Sequence, residues 1–295
     1  MKIKTSPGRV VFFAFAYSFL VLAGLLCLLP MIHVLAVSFS KSTAVNAGLV
    51  SLWPVDLSLK SYEYVINKVE FLRALFVGFE RVLLGVPVNM ALTILIAYPL
   101  SKDRSELAFR KVYTWFFMIT ILFSGGLIPW YMVISKTGLI DSIWALILPT
   151  AVPVFNMVIL MNFFRGLPKE IEESAFLDGA SYLRILWKIY VPLSVPALAT
   201  LTLFSAVHHW NSWFDGIILM NRTEHYPLQS YMQTVIVQMQ FATNMRIEDV
   251  AKLSEISDQT NKAAQVFVGA LPILALYPFL QRYFMTGIVL GSVKG

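Results

Sequence analysis

Long apolar runs separated by shorter polar stretches set the pattern of this chain. Six of them are long enough to cross a membrane as helices: about Val10 to Phe39, Ala74 to Leu100, Val112 to Ile134, Ile143 to Phe163, Leu193 to Met220 and Ala263 to Phe284. The pattern predicts an all-α integral membrane protein with six transmembrane helices. The first run follows Lys2, Lys4 and Arg9 as a signal peptide would. Its apolar stretch is far too long for one and carries no small-residue cleavage site, so it reads as a retained anchor. Pro30, Pro87, Pro99, Gly125-Gly126, Pro129, Pro149, Pro153, Pro272 and Pro278 fall inside the runs. Breakers are tolerated there because neighbouring helices satisfy the freed backbone groups, and they mark bends.

The polar interruption Glu170 to Pro192 has a pattern of its own. Pro168 suits the first position of a helix, and Glu170, Glu172 and Glu173 sit where a helix N-terminus favours negative charge. Asp178-Gly179 offers a turn, Ser181 a cap for a second helix, and Pro192 an end to the run Tyr182 to Tyr190. The expected product is a bent helix-turn-helix. On its first helix Ile171, Ser174, Ala175 and Asp178 share a face, and small side chains at its centre would let the helix sink into a partner's groove.

Composition supports the membrane assignment. Hydrophobic residues make up 58% of the chain, charged residues 14%, and the mean hydropathy is +0.70, too little polar surface for a soluble domain of 295 residues. Of the net charge of +6, the distribution is what matters. Lys and Arg gather in the N-terminal tail, at Lys102-Asp103-Arg104 with Arg110-Lys111, at Arg165, Lys169, Arg184 and Lys188, and at Arg282 and Lys294. The positive-inside rule places those segments and both termini in the cytoplasm. Nucleic-acid binding is not expected, since topology already accounts for the scattered basic residues. Cys27, inside the first run, is the single cysteine and leaves no disulfide or cysteine metal site within the chain.

Catalytic chemistry finds no place in the sequence. A phosphate-cradling Gly-x-x-x-x-Gly-Lys-Ser/Thr loop is missing, and His33, His208, His209 and His225 fall into no metal-binding spacing. No catalytic or metal residues and no cofactor are expected in this chain. The polar residues of interest lie in the spans, where polar groups must face protein or water. His208, Asn211, Ser212 and Asp215 recur at helical spacing and form one stripe, flanked by Trp210 and Trp213. At about 1.5 Å per residue, His208 lies roughly 24 Å from Pro192, near the outer leaflet. The stripe is a candidate lining of an outer vestibule, or else interhelical glue. Glu80 and Arg81, in the second run, need partners or water and would pair within the bundle or line a path; Asn89 and Asn156 raise the same question.

The polar interruption also resembles the coupling-loop signature of bacterial ABC importer permeases, through Glu173, Ser174, Ala175, Gly179, Ile189, Val191 and Pro192. Ser174 stands for the usual first Ala and Val191 for the usual Leu. Asp178-Gly179-Ala180 resembles the carbohydrate branch. The terminal segments Leu271-Pro272-Ile273-Leu274, Tyr277 to Phe284 and Gly291 to Gly295 resemble a subgroup handling oligo- or polysaccharides, including uronate polymers such as alginate. The resemblance implies a type I importer permease fold in one domain over residues 1–295, with a cytoplasmic coupling loop at about 165–191 and an outer loop at about 221–262. Glu173, Ser174, Ala175, Asp178, Gly179 and Ala180 would couple to an ATPase. The implied partners are a second related permease, two ATPase subunits that bind ATP and Mg, an extracytoplasmic solute-binding protein and the lipid of the bacterial inner membrane. An ion-gradient-driven secondary transporter is the alternative; it would call for a repeated pair of broken helices, and the sequence has no evident repeat.

Overall fold

The computed structural model describes residues 7–103, 105–241 and 258–292. Arg104, the segment 242–257 and the last three residues lie outside them, and with these most of the charged stretch 246–262. Helices dominate throughout, and a single isolated bridge, Ser40 to Leu57, is the only sheet-type pairing among the described residues. The chain divides into two compact units, residues 1–69 with 236–270, and residues 70–235 with 271–295.

In the first unit α1 (Pro7–Ser38) is apolar around its whole circumference, and most of its side chains are exposed. A helix of that kind belongs in lipid or against another hydrophobic surface. Its end is fastened by the short α2 (Ser42–Asn46), through a small cluster of Ala36, Ala44, Val45 and Val50. The Ser40 hydroxyl donates to the Ala36 carbonyl at 2.6 Å and accepts from the Val55 amide at 3.0 Å. Then comes α3 (Lys60–Asn67), whose Tyr62 hydroxyl bonds Ser38 Oγ at 2.7 Å.

The second unit is built on α4 (Val69–Ser101). Its buried positions Ala74, Gly78, Arg81, Gly85, Asn89, Thr93 and Ala97 recur every three or four residues, a stripe of mostly small or polar side chains. Small residues let the neighbouring helices approach closely where no hydrophobic effect drives association. Around α4 lie α5 (Arg110–Leu122), α6 (Leu127–Lys136), α7 (Ile143–Ile147) with a 3-10 turn at Leu148–Thr150, and α8 (Val154–Arg165). The loop elements are α9 (Lys169–Leu177) and α10 (Tyr182–Ile185), the latter running through a π turn at Leu186–Tyr190 into α11 (Val191–Leu193). Then follow α12 (Val195–Asn211), α13 (Phe214–Leu219), α14 (Leu228–Phe241) and α15 (Asp258–Ser292), of which the end of α14 and the start of α15 belong to the first unit.

Among the described residues only α1 and α4 are long and apolar enough to cross a membrane as continuous helices, and three bent helix pairs pass the same test together. α5 and α6 meet at 117° around Gly125-Gly126. The Pro149 and Pro153 region bends α7 into α8 by 47°, and Pro192 to Pro196 turns α10–α11 into α12 by 84°. Counting each bent pair as one span gives up to five among the described residues, and the sixth expected run lies within α15. The bends fall at the breakers because proline removes a ladder donor and clashes with the preceding turn. The expected run Leu193 to Met220 is therefore not one helix: it turns at Ser194 and stops at Asn211, with Ser212 extended. In the outer segment 221–262 helical character is expected over Leu228 to Met239, where α14 lies, and most of the remainder falls outside the described residues. Asp141 closes the segment before α14, accepting from the Asn221 amide at 3.0 Å and His225 Nδ1 at 2.9 Å.

Candidate functional site

The loop 165–191 folds as the bent helix pair its residues predict, with differences at its caps. Pro168 occupies the position just before α9, not the first helical turn, and no Ser181 side-chain bond caps α10. The stop of α9 is specific. The Gly179 amide bonds the Phe176 carbonyl at 3.0 Å, the Ala180 amide bonds the Ala175 carbonyl at 2.9 Å, and Gly179 has φ +74. This is the Schellman arrangement, in which a left-handed residue lets two amides satisfy the orphan carbonyls of the last turn. A Cβ on Gly179 would meet nothing within 4 Å, so its requirement is conformational rather than spatial. Gly179→Leu is expected to cost about 1–2 kcal/mol of stability, and Gly179→Asn much less because Asn tolerates this region. Thermal unfolding of the purified variants checks the order; equal Tm values for Leu and Asn would refute it.

Beneath α9 is an ionic cage that ties the loop to the end of α4. Glu172 is 8% exposed and forms an ion pair with Lys102, itself buried. The Tyr190 hydroxyl donates to Glu172 Oε2 at 2.5 Å and the Tyr98 hydroxyl to Oε1 at 3.3 Å. Lys102 Nζ also donates to the Tyr190 oxygen at 3.2 Å and lies 4.1 and 4.4 Å from the centres of the Tyr98 and Tyr190 rings. Aromatic faces and a carboxylate thus replace the water that a buried ammonium loses. Burial lowers the Lys102 ammonium from its ordinary value, and the hydrogen bond and charge of Glu172 oppose that. The last carbonyls of the helix are covered by basic groups as well: Arg165 Nη2 donates to Leu100 O at 2.8 Å and Arg110 Nη1 to Lys102 O at 2.5 Å. At the rim Lys169 pairs with Asp103, whose carboxyl this hydrogen bond and charge hold below its ordinary value.

The cage sits beside a buried cluster that includes Tyr98, Leu100, Phe164, Ile185 and Leu186. Ala175 belongs to that cluster at 8% exposure, so the small residue expected to seat a partner instead seats α9 on its own spans. What α9 presents outward is Glu173, Ser174, Asp178 and above all Leu177, 90% exposed. Phe176 and Tyr182, an edge-to-face pair at 4.9 Å, and Leu183 extend this apolar surface. Neither Lys102 nor Glu172 stands out in the sequence, where the first reads as a topology marker and the second as a helix-end charge.

Among the spans, the expected stripe of His208, Asn211, Ser212 and Asp215 does not lie along one helix, because α12 ends at Asn211 and Asp215 lies in the first turn of a new helix, α13. Arg81 bridges the break. Its guanidinium is fully buried, pairs with Asp215 (Nη1 to Oδ1 3.1 Å) and donates to the backbone oxygens of Ser212 at 3.4 Å and Leu146 at 3.3 Å. Asp215 Oδ1 also accepts from Ser212 Oγ at 3.0 Å and the Gly216 amide at 2.9 Å. A polar clamp of this kind satisfies the backbone groups that a broken helix exposes. Arg81 is thus a buried pairing group, whereas Glu80, next to it on α4, is exposed. Trp210, expected to flank a vestibule, is buried with its ring 5.1 Å from Phe79, and Trp213 is 42% exposed.

His208, Ser212 and Asp215 nevertheless do line a cavity, of about 820 Å³, opposite Gly125, Gly126, Trp130 and Phe214. A second, of about 450 Å³, is bounded by Asn89, Thr120, Asn156, Phe204 and Ser205. Asn89 there donates to Thr150 O at 2.8 Å and Ala151 O at 2.9 Å, covering the carbonyls freed at the α7–α8 bend.

A helical bundle with bent, breaker-interrupted spans, polar-lined cavities and an anchored helical loop defines a membrane transport component. The chain belongs to the family described as the binding-protein-dependent transport system inner membrane component, whose model matches residues 64–288. It is thus an ABC importer permease with the fold of that family. It is 41% identical over 280 residues to the polygalacturonan/rhamnogalacturonan transport system permease protein YtcP of Bacillus subtilis (strain 168), covering 95% of this chain and 96% of that one. It is 38% identical to protein LplC of the same organism over 293 residues, 99% and 97% of the two chains. A solved bacterial ABC transporter involved in the import of the acidic polysaccharide alginate contains a chain 31% identical to this one, with a TM-score of 0.87 over 96% of this chain and 100% of that chain. A chain of the alginate transporter in complex with a pentasaccharide-bound periplasmic protein shares the fold at 16% identity, with a TM-score of 0.57 over 92% and 94% of the two chains.

Proposed function

We propose that this permease forms half of the translocation path of an ATP-driven importer for oligo- or polysaccharides, acidic ones foremost. Its whole length would act as one permease domain with both termini in the cytoplasm. A second, related permease would complete the path, two ATPase subunits would bind ATP and Mg, and an extracytoplasmic binding protein would deliver the sugar. The relatives named above support the sugar class, since polygalacturonan and alginate are both polymers of uronates.

The observation that carries the coupling role is the combination on α9: a buried face pinned by Glu172 and Ala175, and an outward face of Glu173, Ser174, Leu177 and Asp178 before the Gly179-Ala180 stop. A helix held rigidly on one side and apolar at its exposed tip is suited to seat in a partner's groove. When the ATPases close, α9 would move as a lever, and rocking of the spans would switch the cavities between inward and outward access. Reconstitution of the complete complex in proteoliposomes with labelled trigalacturonate tests this. Uptake that needs both ATP and the binding protein is expected; uptake persisting without ATP would instead indicate the ion-driven alternative.

Glu173 is exposed beside Leu177 and is available for a charge-assisted contact with a basic group of the ATPase. Glu173→Lys places like charges together there and is expected to lower the yield of co-purified ATPase by about tenfold. An unchanged yield would leave Glu173 as a helix-end charge only.

A further inference from the structure

The two cavities share one stretch of wall, formed by Pro149, Thr150 and His208. His208 is exposed to both, and among the described residues its imidazole nitrogens make no hydrogen bond to protein. Its neighbour behaves in the opposite way. His209 is buried with Nε2 2.6 Å from Asn89 Oδ1, and α12 lies so close to α4 there that a Cβ on Gly85 would fall 2.5 Å from that nitrogen. Successive helical residues point about 100° apart, so locking His209 into α4 turns His208 out towards the junction. The Arg81 clamp on Ser212, three residues after His209, fixes the same end of that helix.

An ionisable side chain within a span, held in place yet unpartnered, has to meet water or a ligand. Asp215 is paired with Arg81, so of the two titratable side chains among the described residues lining these cavities, His208 is the one in no ion pair or hydrogen bond. Beyond it lie the rings of Trp130 and Phe214 in one cavity, and Asn156 and Thr120 in the other. Rings that cover the apolar faces of a pyranose, followed by amides and hydroxyls that meet its edge, form a lining matched to a saccharide chain.

We propose that His208 is the saccharide-contacting residue at the neck between two chambers of the path, where its imidazole hydrogen-bonds the hydroxyl and carboxylate groups of each uronate unit that passes. The proposal rests on the importer reading and deepens it by naming the specificity residue. Asn89 and His209 act on it as positioning residues, through the wall and the helix that present the ring.

The test uses the complete transporter in proteoliposomes with its binding protein and ATP, comparing trigalacturonate with the neutral trisaccharide maltotriose. His208→Ala is expected to lower trigalacturonate uptake by about tenfold, the effect of losing one hydrogen bond to a charged group, and to shift the ratio of the two sugars towards the neutral one. His208→Gln, which keeps a donor and an acceptor, should recover most of the uptake, a rescue that a mere packing role would not give. In a background with Cys27 replaced, His208→Cys should react with a membrane-impermeant thiol reagent, and trigalacturonate should slow the reaction. The yield of assembled complex serves as the folding control for each variant. Wild-type uptake of trigalacturonate with an unaltered sugar ratio in His208→Ala would overturn the neck assignment and leave the importer reading standing. Cysteine that stays unlabelled with and without ATP would do the same, placing His208 against a second permease. Failure of the wild-type complex to take up any saccharide would overturn both.

Discussion

Arg81→Met is expected to be among the most damaging single changes in the chain, costing about 3–5 kcal/mol, because it leaves the Asp215 carboxylate half-enclosed without its cation. The guanidinium is fully buried and touches three elements at once: the Asp215 carboxylate on α13, the extended Ser212 backbone and the Leu146 carbonyl of α7. Removing it leaves the charge and two backbone oxygens without their donor inside the bundle. The measurable result is a fall of several degrees in Tm of the detergent-purified protein, together with a lower yield of folded chain. The double variant Arg81→Met/Asp215→Leu removes both charges and should recover a large part of the loss, since an apolar replacement of a buried pair is often close to neutral. A double variant whose loss equals the sum of the two single losses would show that the pair is not coupled.

Breaking the cage under α9 should have an effect of similar size, with a different signature. Glu172→Ala leaves the Lys102 ammonium buried among Tyr98 and Tyr190 with no counter-charge, again a loss of about 3–5 kcal/mol of local stability. Glu172→Gln keeps the shape and one of the two acceptor oxygens and should be milder. Since Glu172 and Ala175 are what fix α9 to the spans, loosening them should let the ATPase hydrolyse ATP without moving the path. The expected readout in the reconstituted complex is a several-fold drop in sugar transported per ATP, larger for Ala than for Gln. A variant with normal stoichiometry and merely lower yield would reduce the cage to a folding element. Lys102→Met provides the reciprocal arm, and its effect should be non-additive with Glu172→Ala because the two residues act through one interaction.

The stripe in the fifth apolar run shows how local periodicity can bring the right residues forward for a mistaken reason. His208, Ser212 and Asp215 do line one cavity, but not because they share a helical face. They converge because the helix stops and Arg81 gathers the pieces. An arginine in a span requires an acid, and Asp215 was the one acid on any other predicted span, so this partner was legible in principle. Trp210 and Trp213 sit on the same stretch, yet the aromatic rings at the cavity are Trp130 and Phe214. Trp130 arrives from α6 through a 117° bend, which no helical wheel of one segment can anticipate.

Apolar run length, the positions of proline and glycine, and the spacing around Gly179 follow from interactions within a few residues. They fix hydrophobic burial, ladder bonds and backbone conformation locally, and with them the helices, the sites of the bends, the Schellman stop of α9 and the permease signature were readable from the chain alone. The angles of the bends, the pairing of Lys102 with Glu172 and of Arg81 with Asp215, and the turning of His208 to the neck join residues 70 or more positions apart, or depend on such joins. Charge and polarity state that such groups need partners but not which ones, because in an apolar bundle the choice is made by how closely the helices approach, and that distance is set by packing at positions such as Gly85.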